Sequence, residues 1–235
     1  MKAFLLAAGY GTRLKPLTDS IPKCLVPING KPLLEIWLEL LEREGVTDVL
    51  VNTHYLSERV EEFICYRNNK INVELFHEDV LLGSGGTLLA NKAFIRNDKD
   101  FYFLYADNIT NISLNKLLRF HRSNNSIFST YVYETKIPQQ KGIFTADMKT
   151  GKVLGFEEKP KHPKSNLANA GIGILNNKIF NYLKDNKPFV DFGKDVMPEL
   201  VDQMHIILTD KYIKDIGTIN DYLQAQKEWK LITEI

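Results

Sequence analysis

Residues 2–14 read KAFLLAAGYGTRL. The stretch 2–8 is the pattern of a strand buried on both faces, and Gly9 and Gly11 close it in a tight turn. A secretory leader would also begin with an apolar run, but this one is too short, and Arg13 and Lys15 follow closely. Further along, residues 32–44 read as a helix opened by Pro32 and closed by Gly45, with Leu33, Leu34, Trp37, Leu40 and Leu41 at helical spacing. Val49–Val51 is the next strand; 56–67 read as a helix, 71–77 as a strand, 86–94 as a helix and Phe101–Ala106 as a buried strand. This alternation predicts an α/β fold with a mostly parallel sheet and right-handed crossovers.

Past about residue 125 the pattern changes. Residues 127–134 and 142–146 read as strands, 149–152 as a turn, 159–166 (KPKHPKSN) as a loop, 206–214 as strand-like and 218–231 as a helix. No linker divides the chain, so a single domain over 1–235 is expected, with halves at about 1–125 and 126–235.

With 235 residues, the chain is long enough to bury a core without disulfide or metal staples. Lys and Arg number 30 against 29 Asp and Glu, so no overall basic field draws nucleic acid or anionic lipid. Any anionic ligand must then be held by a local cluster. A 44% hydrophobic content excludes a disordered chain, and the apolar stretches are too interrupted for a membrane span. Cys24 and Cys65 fit neither a disulfide framework nor a zinc knuckle. The expectation is a cytoplasmic protein without nucleic-acid or membrane partners, as a monomer or small homo-oligomer.

In the glycine loop, successive N–H groups can form an anion nest, and Arg13 adds a forked cation suited to phosphate. Position 14 is Leu, which breaks a dinucleotide fingerprint, and the Gly-Lys-Ser/Thr of a P-loop is absent. The loop runs on for some twenty residues, a length that is usually functional, and four prolines between 16 and 32 stiffen it. Lys23 lies on that stiff segment as a second cation. The plainer alternative is a tight turn with a surface arginine and a solvated lysine; Cys24 reads as inert packing.

The segment LAAGYGTRLKPLT, followed by PKCLVPINGKPLL, resembles the signature of the sugar-1-phosphate nucleotidyltransferases. LGSGGTL at 82–88, Asp107 after a buried strand, FEEKP at 156–160, NAGIGIL at 169–175 and DIGT at 215–218 extend the likeness, in the family's order, over nearly the whole chain. The resemblance implies a Rossmann-like, three-layer fold with a mixed, mostly parallel central sheet. It implies transfer of a nucleotidyl group from a nucleoside triphosphate to a sugar 1-phosphate, releasing pyrophosphate. By the same likeness Ala7, Ala8, Gly9, Gly11, Thr12, Arg13, Lys23, Glu78, Gly83 and Asp107 bind the nucleotide, with Arg13, Lys23 and Asp107 catalytic. Asp107 and Asp215 hold Mg²⁺. Gly142, Glu158, Lys159, Asn169 and Gly171 bind the sugar phosphate. Lys141 stands where the family usually has Tyr, which leaves the sugar open.

The chemistry needs no protein nucleophile. A phosphate monoester has a second pKa of about 6, so the attacking oxygen is already ionised at neutral pH. Positioning, cations and a metal suffice, and Mg²⁺ takes one or two carboxylates plus phosphate oxygens and water. The competing readings are a turn aspartate at 107 and a helix cap at 215.

Glu78 stands where the family reads the base. A carboxylate accepts guanine's adjacent N1–H and N2–H₂ together, which favours GTP; with the compact size, the resemblance then implies a mannose- or heptose-type sugar. Its alternative is a cap for the 86–94 helix. The rivals are a uridylyl- or thymidylyltransferase, a phosphocholine cytidylyltransferase, and a non-catalytic nucleotide- or sugar-binding regulatory module.

Overall fold

A computed structural model gives the structure of residues 1–68, 70–96, 98–184 and 187–233. The strands are β1 (Lys2–Leu6), β2 (Pro27–Ile28), β3 (Lys31–Pro32), β4 (Asp48–Thr53), β5 (Asn72–His77), β6 (Asp100–Tyr105) and β7 (Asn108–Thr110). They continue with β8 (Phe128–Glu134), β9 (Gly142–Ala146), β10 (Val153–Glu158), β11 (Leu167–Asn176), β12 (Met204–Leu208) and β13 (Ile213–Asp215). The α-helices are α1 (Leu33–Arg43), α2 (Ser57–Tyr66), α3 (Gly83–Ala90), α4 (Lys92–Ile95), α5 (Leu114–Asn124) and α6 (Ile219–Thr233). The fold is α/β with a mixed sheet, as expected. No helix among the described residues is long and apolar enough to cross a membrane.

The chain forms two compact units, each assembled from separated stretches. The first comprises Met1–Phe4, Leu82–Leu104 and Ser113–Asp210. Its strand order is β10-β9-β11-β6-β1, with β8 on β11 and β12 on β8. The ten-residue β11 runs antiparallel to β6, β8 and β9, whereas β12 runs parallel to β8. Aromatic rings fill the core: Phe4 meets Phe94 and Phe101 at 5.4 and 5.6 Å, and Phe192 meets Phe103 and Phe128 at 4.8 and 5.4 Å. Helix α5 was not anticipated. Ser113 caps it by accepting the Lys116 N–H, it buries Leu114, Leu117 and His121, and Asn125 ends it in the left-handed conformation.

The second unit comprises Leu5–Leu81, Tyr105–Ile112 and Lys211–Ile235. Here β4 and β5 pair in parallel from Asp48↔Asn72 to Thr53↔His77. Helix α1 buries Leu33, Leu34, Trp37, Leu38, Leu40 and Leu41 and gives way to Gly45 at φ +79°. Leu14, Ile28, Leu33, Ile109, Ile216 and Ala225 form a core against which Tyr212 and Trp229 pack. Trp37 packs on α1 as expected, and its indole N–H also donates to the Asn108 carbonyl at 2.7 Å.

Two elements differ from expectation. The helix expected over 86–94 begins three residues earlier, at Gly83, and breaks at Asn91. The strand-like run 206–214 is two strands: β12 ends at Leu208, and β13 begins at Ile213 after a polar turn at Asp210 and Lys211.

Candidate active site

In the second unit, backbone pairing brings two distant aspartates together. Asp107 lies in the turn after β6, and Asp215 ends β13. Strands β7 and β13 pair antiparallel with Asp215 opposite Asn108, and the Ile216 N–H donates to the Asp107 carbonyl at 2.9 Å. Lys23, on a single 3-10 turn over Lys23–Leu25, aims its ammonium between them, 2.6 Å from Asp107 Oδ2 and 3.9 Å from Asp215 Oδ1. The lysine side chain is 12% exposed, so its charge sits where water screens it little. Asp215 does not cap α6: Thr218 does, accepting the Asp221 N–H and donating to the Asp221 carboxylate.

Arg13 joins this group. A Cβ built on Gly217 would lie 3.2 Å from Asp215 Oδ1 and 3.3 Å from Arg13 Nη2, so guanidinium and carboxylate flank one glycine. Gly11 has φ +65°, and a Cβ there would press on Thr18 Cγ2 at 3.0 Å and Lys23 Cβ at 3.1 Å. Glycine at 11 therefore both permits the turn and lets Lys23 approach. Gly9 does not adopt positive φ, contrary to expectation; a Cβ there would meet no heavy atom within 4 Å, so the loop is open at that point. Thr12 and Arg13 are exposed on the turn, with Ala8 buried beneath it. Cys24 is packing, as read: burial pushes its thiol up to about 12.

Ala7 and Glu78 meet through Asn52. The Ala7 N–H donates to Asn52 Oδ1 at 2.7 Å, and Asn52 Nδ2 donates to Glu78 Oε1 at 2.8 Å. Glu78 is 3% exposed. No side chain caps α3, so Glu78 is not a helix cap.

In the first unit, Gly83 is at φ +77°, and a Cβ there would lie 2.5 Å from the Val190 carbonyl oxygen. The Gly85 and Gly86 N–H groups donate to that same oxygen. Gly83 and Gly85 are thus required by close packing against Val190.

The residues expected to bind the sugar phosphate also lie in this unit. Glu158 pairs with Gly142 across the β9–β10 hairpin, and a Cβ on Gly142 would lie 2.6 Å from Glu158 Oε2. Lys159 Nζ is 3.7 Å from Glu158 Oε1. Asn169 Oδ1 accepts both the Thr130 hydroxyl and the Gly171 N–H, which holds Gly171 at φ +67° in a bulge of β11. Asp191 joins them unforeseen. A Cβ on Gly193 would lie 3.2 Å from both Asp191 Oδ1 and Glu158 Oε2. Burial first, then the opposing pull of Lys159 and the push of Asp191, leave the Glu158 carboxyl above its usual range. DFGKD at 191–195 was the only sequence cue to Asp191.

The donor set suits a hard divalent cation. Asp107 and Asp215 present carboxylate oxygens to one cation already, and Mg²⁺ needs one or two such ligands before phosphate and water complete its shell. Among the described residues no group of three or more His, Cys, Asp or Glu is placed to hold a metal by itself.

Comparison with known proteins adds to this geometry. Residues 2–230 match the family described as nucleotidyl transferase. The UTP–glucose-1-phosphate uridylyltransferase of Synechocystis sp. is 32% identical over 247 residues, which cover 96% of this chain and 62% of that protein. Mannose-1-phosphate guanyltransferase beta-A of Xenopus laevis is 30% identical over 228 residues, covering 95% and 63%. The chain thus spans less than two thirds of these relatives. The structure of HddC from Yersinia pseudotuberculosis complexed with GMP-PN superposes with a TM-score of 0.79 at 26% identity, over 97% of this chain and 99% of that one.

Proposed function

The chain belongs to the nucleotidyl transferase family, and we propose that it transfers a nucleotidyl group from a nucleoside triphosphate to a sugar 1-phosphate. The observation that carries this reading is the convergence of Asp107, Lys23 and Asp215 in the second unit. Asp107 and Asp215 are the residues that would hold Mg²⁺. The ion, when bound, would neutralise charge on the triphosphate and stabilise the leaving pyrophosphate. Lys23 and Arg13 supply further cations to the phosphates, and the N–H groups of the Gly9–Gly11 turn orient them.

In the first unit, Glu158, Lys159, Asn169 and the glycines at 142 and 171 take the acceptor. Lys159 meets its phosphate and Glu158 a hydroxyl. An acceptor phosphate oxygen attacks the α-phosphorus in line, the bond to the β-phosphate bridging oxygen breaks, and pyrophosphate departs with that electron pair. The acceptor is ionised beforehand, so no residue has to remove a proton.

GTP with a mannose- or heptose-type 1-phosphate is the favoured pair. Glu78 stands where the family resemblance puts base reading, and the relatives include a mannose-1-phosphate guanyltransferase and a protein complexed with GMP-PN. The uridylyltransferase relative supports UTP as the second reading. The free cysteines support a reducing compartment such as the cytoplasm. A panel of GTP, UTP, dTTP, ATP and CTP against several sugar 1-phosphates, read by pyrophosphate release, tests the proposal. Highest release with GTP is expected; release with no pair contradicts transfer, and a UTP or dTTP optimum contradicts the base assignment.

A further inference from the structure

One buried amide ties together two segments that the proposed reaction uses separately. Asn52, at the penultimate position of β4, is 5% exposed. Its Oδ1 takes the Ala7 N–H at 2.7 Å, just past the end of β1, and its Nδ2 gives a hydrogen bond to Glu78 Oε1 at 2.8 Å, just past the end of β5. A backbone N–H only donates and a carboxylate accepts, so the partners fix the orientation of the amide. An aspartate at 52 would keep the acceptor for Ala7 but set carboxylate against carboxylate at Glu78. A leucine would leave both partners without this bond.

A second tie runs in parallel. His54 Nδ1 lies 2.6 Å from the Glu78 carbonyl, which only accepts, so that nitrogen carries the proton. In the neutral ring Nε2 then accepts from the Tyr10 hydroxyl at 2.8 Å, on the glycine loop. The loop and Glu78 are therefore linked twice, once at each end of the turn.

We propose that Asn52 is a positioning residue that sets nucleobase preference, by holding the Glu78 carboxylate in fixed relation to the backbone at Ala7. This rests on Glu78 reading the base. The loop that takes the phosphates and the group that meets the base then move as one body. A displaced Glu78 weakens guanine and leaves uracil less affected.

The test uses the full chain. KM and kcat are measured for GTP and UTP, at fixed sugar 1-phosphate, in the wild type, Asn52→Leu, Asn52→Asp, Glu78→Gln and the Asn52→Leu/Glu78→Gln double variant. Each Asn52 variant is expected to raise KM for GTP about tenfold, the size of one buried hydrogen bond to a charged group. In these variants kcat and the KM for sugar 1-phosphate change little, and the preference for GTP over UTP falls by a similar factor. The double variant should be no less selective than Glu78→Gln alone, since Asn52 acts through that carboxylate. If Asn52→Leu fails to fold, the isosteric Asn52→Asp carries the comparison. Asn52 variants with an unchanged GTP:UTP ratio, beside a shifted Glu78→Gln, overturn the positioning role alone. An unchanged ratio in Glu78→Gln overturns both it and the base reading.

Discussion

Asp107 and Asp215 are joined through the backbone as well as through the Lys23 ammonium that lies between their carboxylates. The Ile216 N–H donates to the Asp107 carbonyl at 2.9 Å, and the pairing of β7 with β13 continues that contact. Trp37 braces the same place, its indole N–H on the Asn108 carbonyl. The main chain therefore fixes the backbone of the two aspartates relative to each other, as the proposed cation site would require.

Asp107→Asn should cut pyrophosphate release at least about a hundredfold, the scale seen when a preorganised electrostatic contact is lost. The backbone bond from Ile216 does not depend on the side chain, so the circular dichroism spectrum should stay near wild type. A fully active Asp107→Asn would remove Asp107 from the reaction centre.

Arg13 is exposed and flanks Gly217 with Asp215. Arg13→Ala should lower kcat more than it raises KM for the sugar phosphate, and should leave Tm within about a degree, since an exposed side chain away from the core contributes little to stability. Steady-state kinetics with each substrate varied in turn reads this. A rise confined to sugar-phosphate KM would move Arg13 to the acceptor.

Gly142 has no room for a methyl group, which would lie 2.6 Å from Glu158 Oε2 and 2.8 Å from Phe156 Cζ. Gly142→Ala should push Glu158 aside, raising KM for sugar 1-phosphate while KM for the triphosphate holds. The overpacking against Phe156 should cost about 1–3 kcal/mol in urea unfolding. An unchanged sugar-phosphate KM would detach Glu158 from acceptor binding.

Asp100 makes stability fall in acid. Burial alone would raise its carboxyl, but His121 at 3.6 Å and hydrogen bonds from Arg122 and Asn176 outweigh it and hold it down to about 2, below its ordinary 3.8. A depressed pKa means that the unfolded chain takes up the proton first. The contribution, about 2 kcal/mol, is thus complete above the unfolded value and is lost as pH falls from about 4 to about 2. Urea unfolding between pH 5 and 2 should show a shallower acid loss for Asp100→Asn than for wild type. Parallel curves would contradict the assignment.

The sequence marked more of the candidate site than of its supports. The glycine turn, Lys23 and the two aspartates stand beside strands whose apolar runs are unmistakable, such as Phe101–Ala106. Pairing of β7 with β13 was invisible, because each is a three-residue strand with no periodicity to read. The helix start at Gly83 rather than 86 was not legible, because Gly83 and Gly85 argue against a helix there, yet packing against Val190 overrides that local preference. Asn52 gave no signal at all. Its role depends on Ala7 and Glu78, which come near it only once β1, β4 and β5 are folded.

The account turns on where the α-phosphate goes. With GTP labelled at the α-phosphate, mannose or heptose 1-phosphate and Mg²⁺, the label should pass into a nucleotide-sugar, with one unlabelled pyrophosphate released per transfer and no turnover when the sugar phosphate is withheld. Label that stays in the triphosphate, or appears in GMP or GDP regardless of the sugar phosphate, would contradict nucleotidyl transfer.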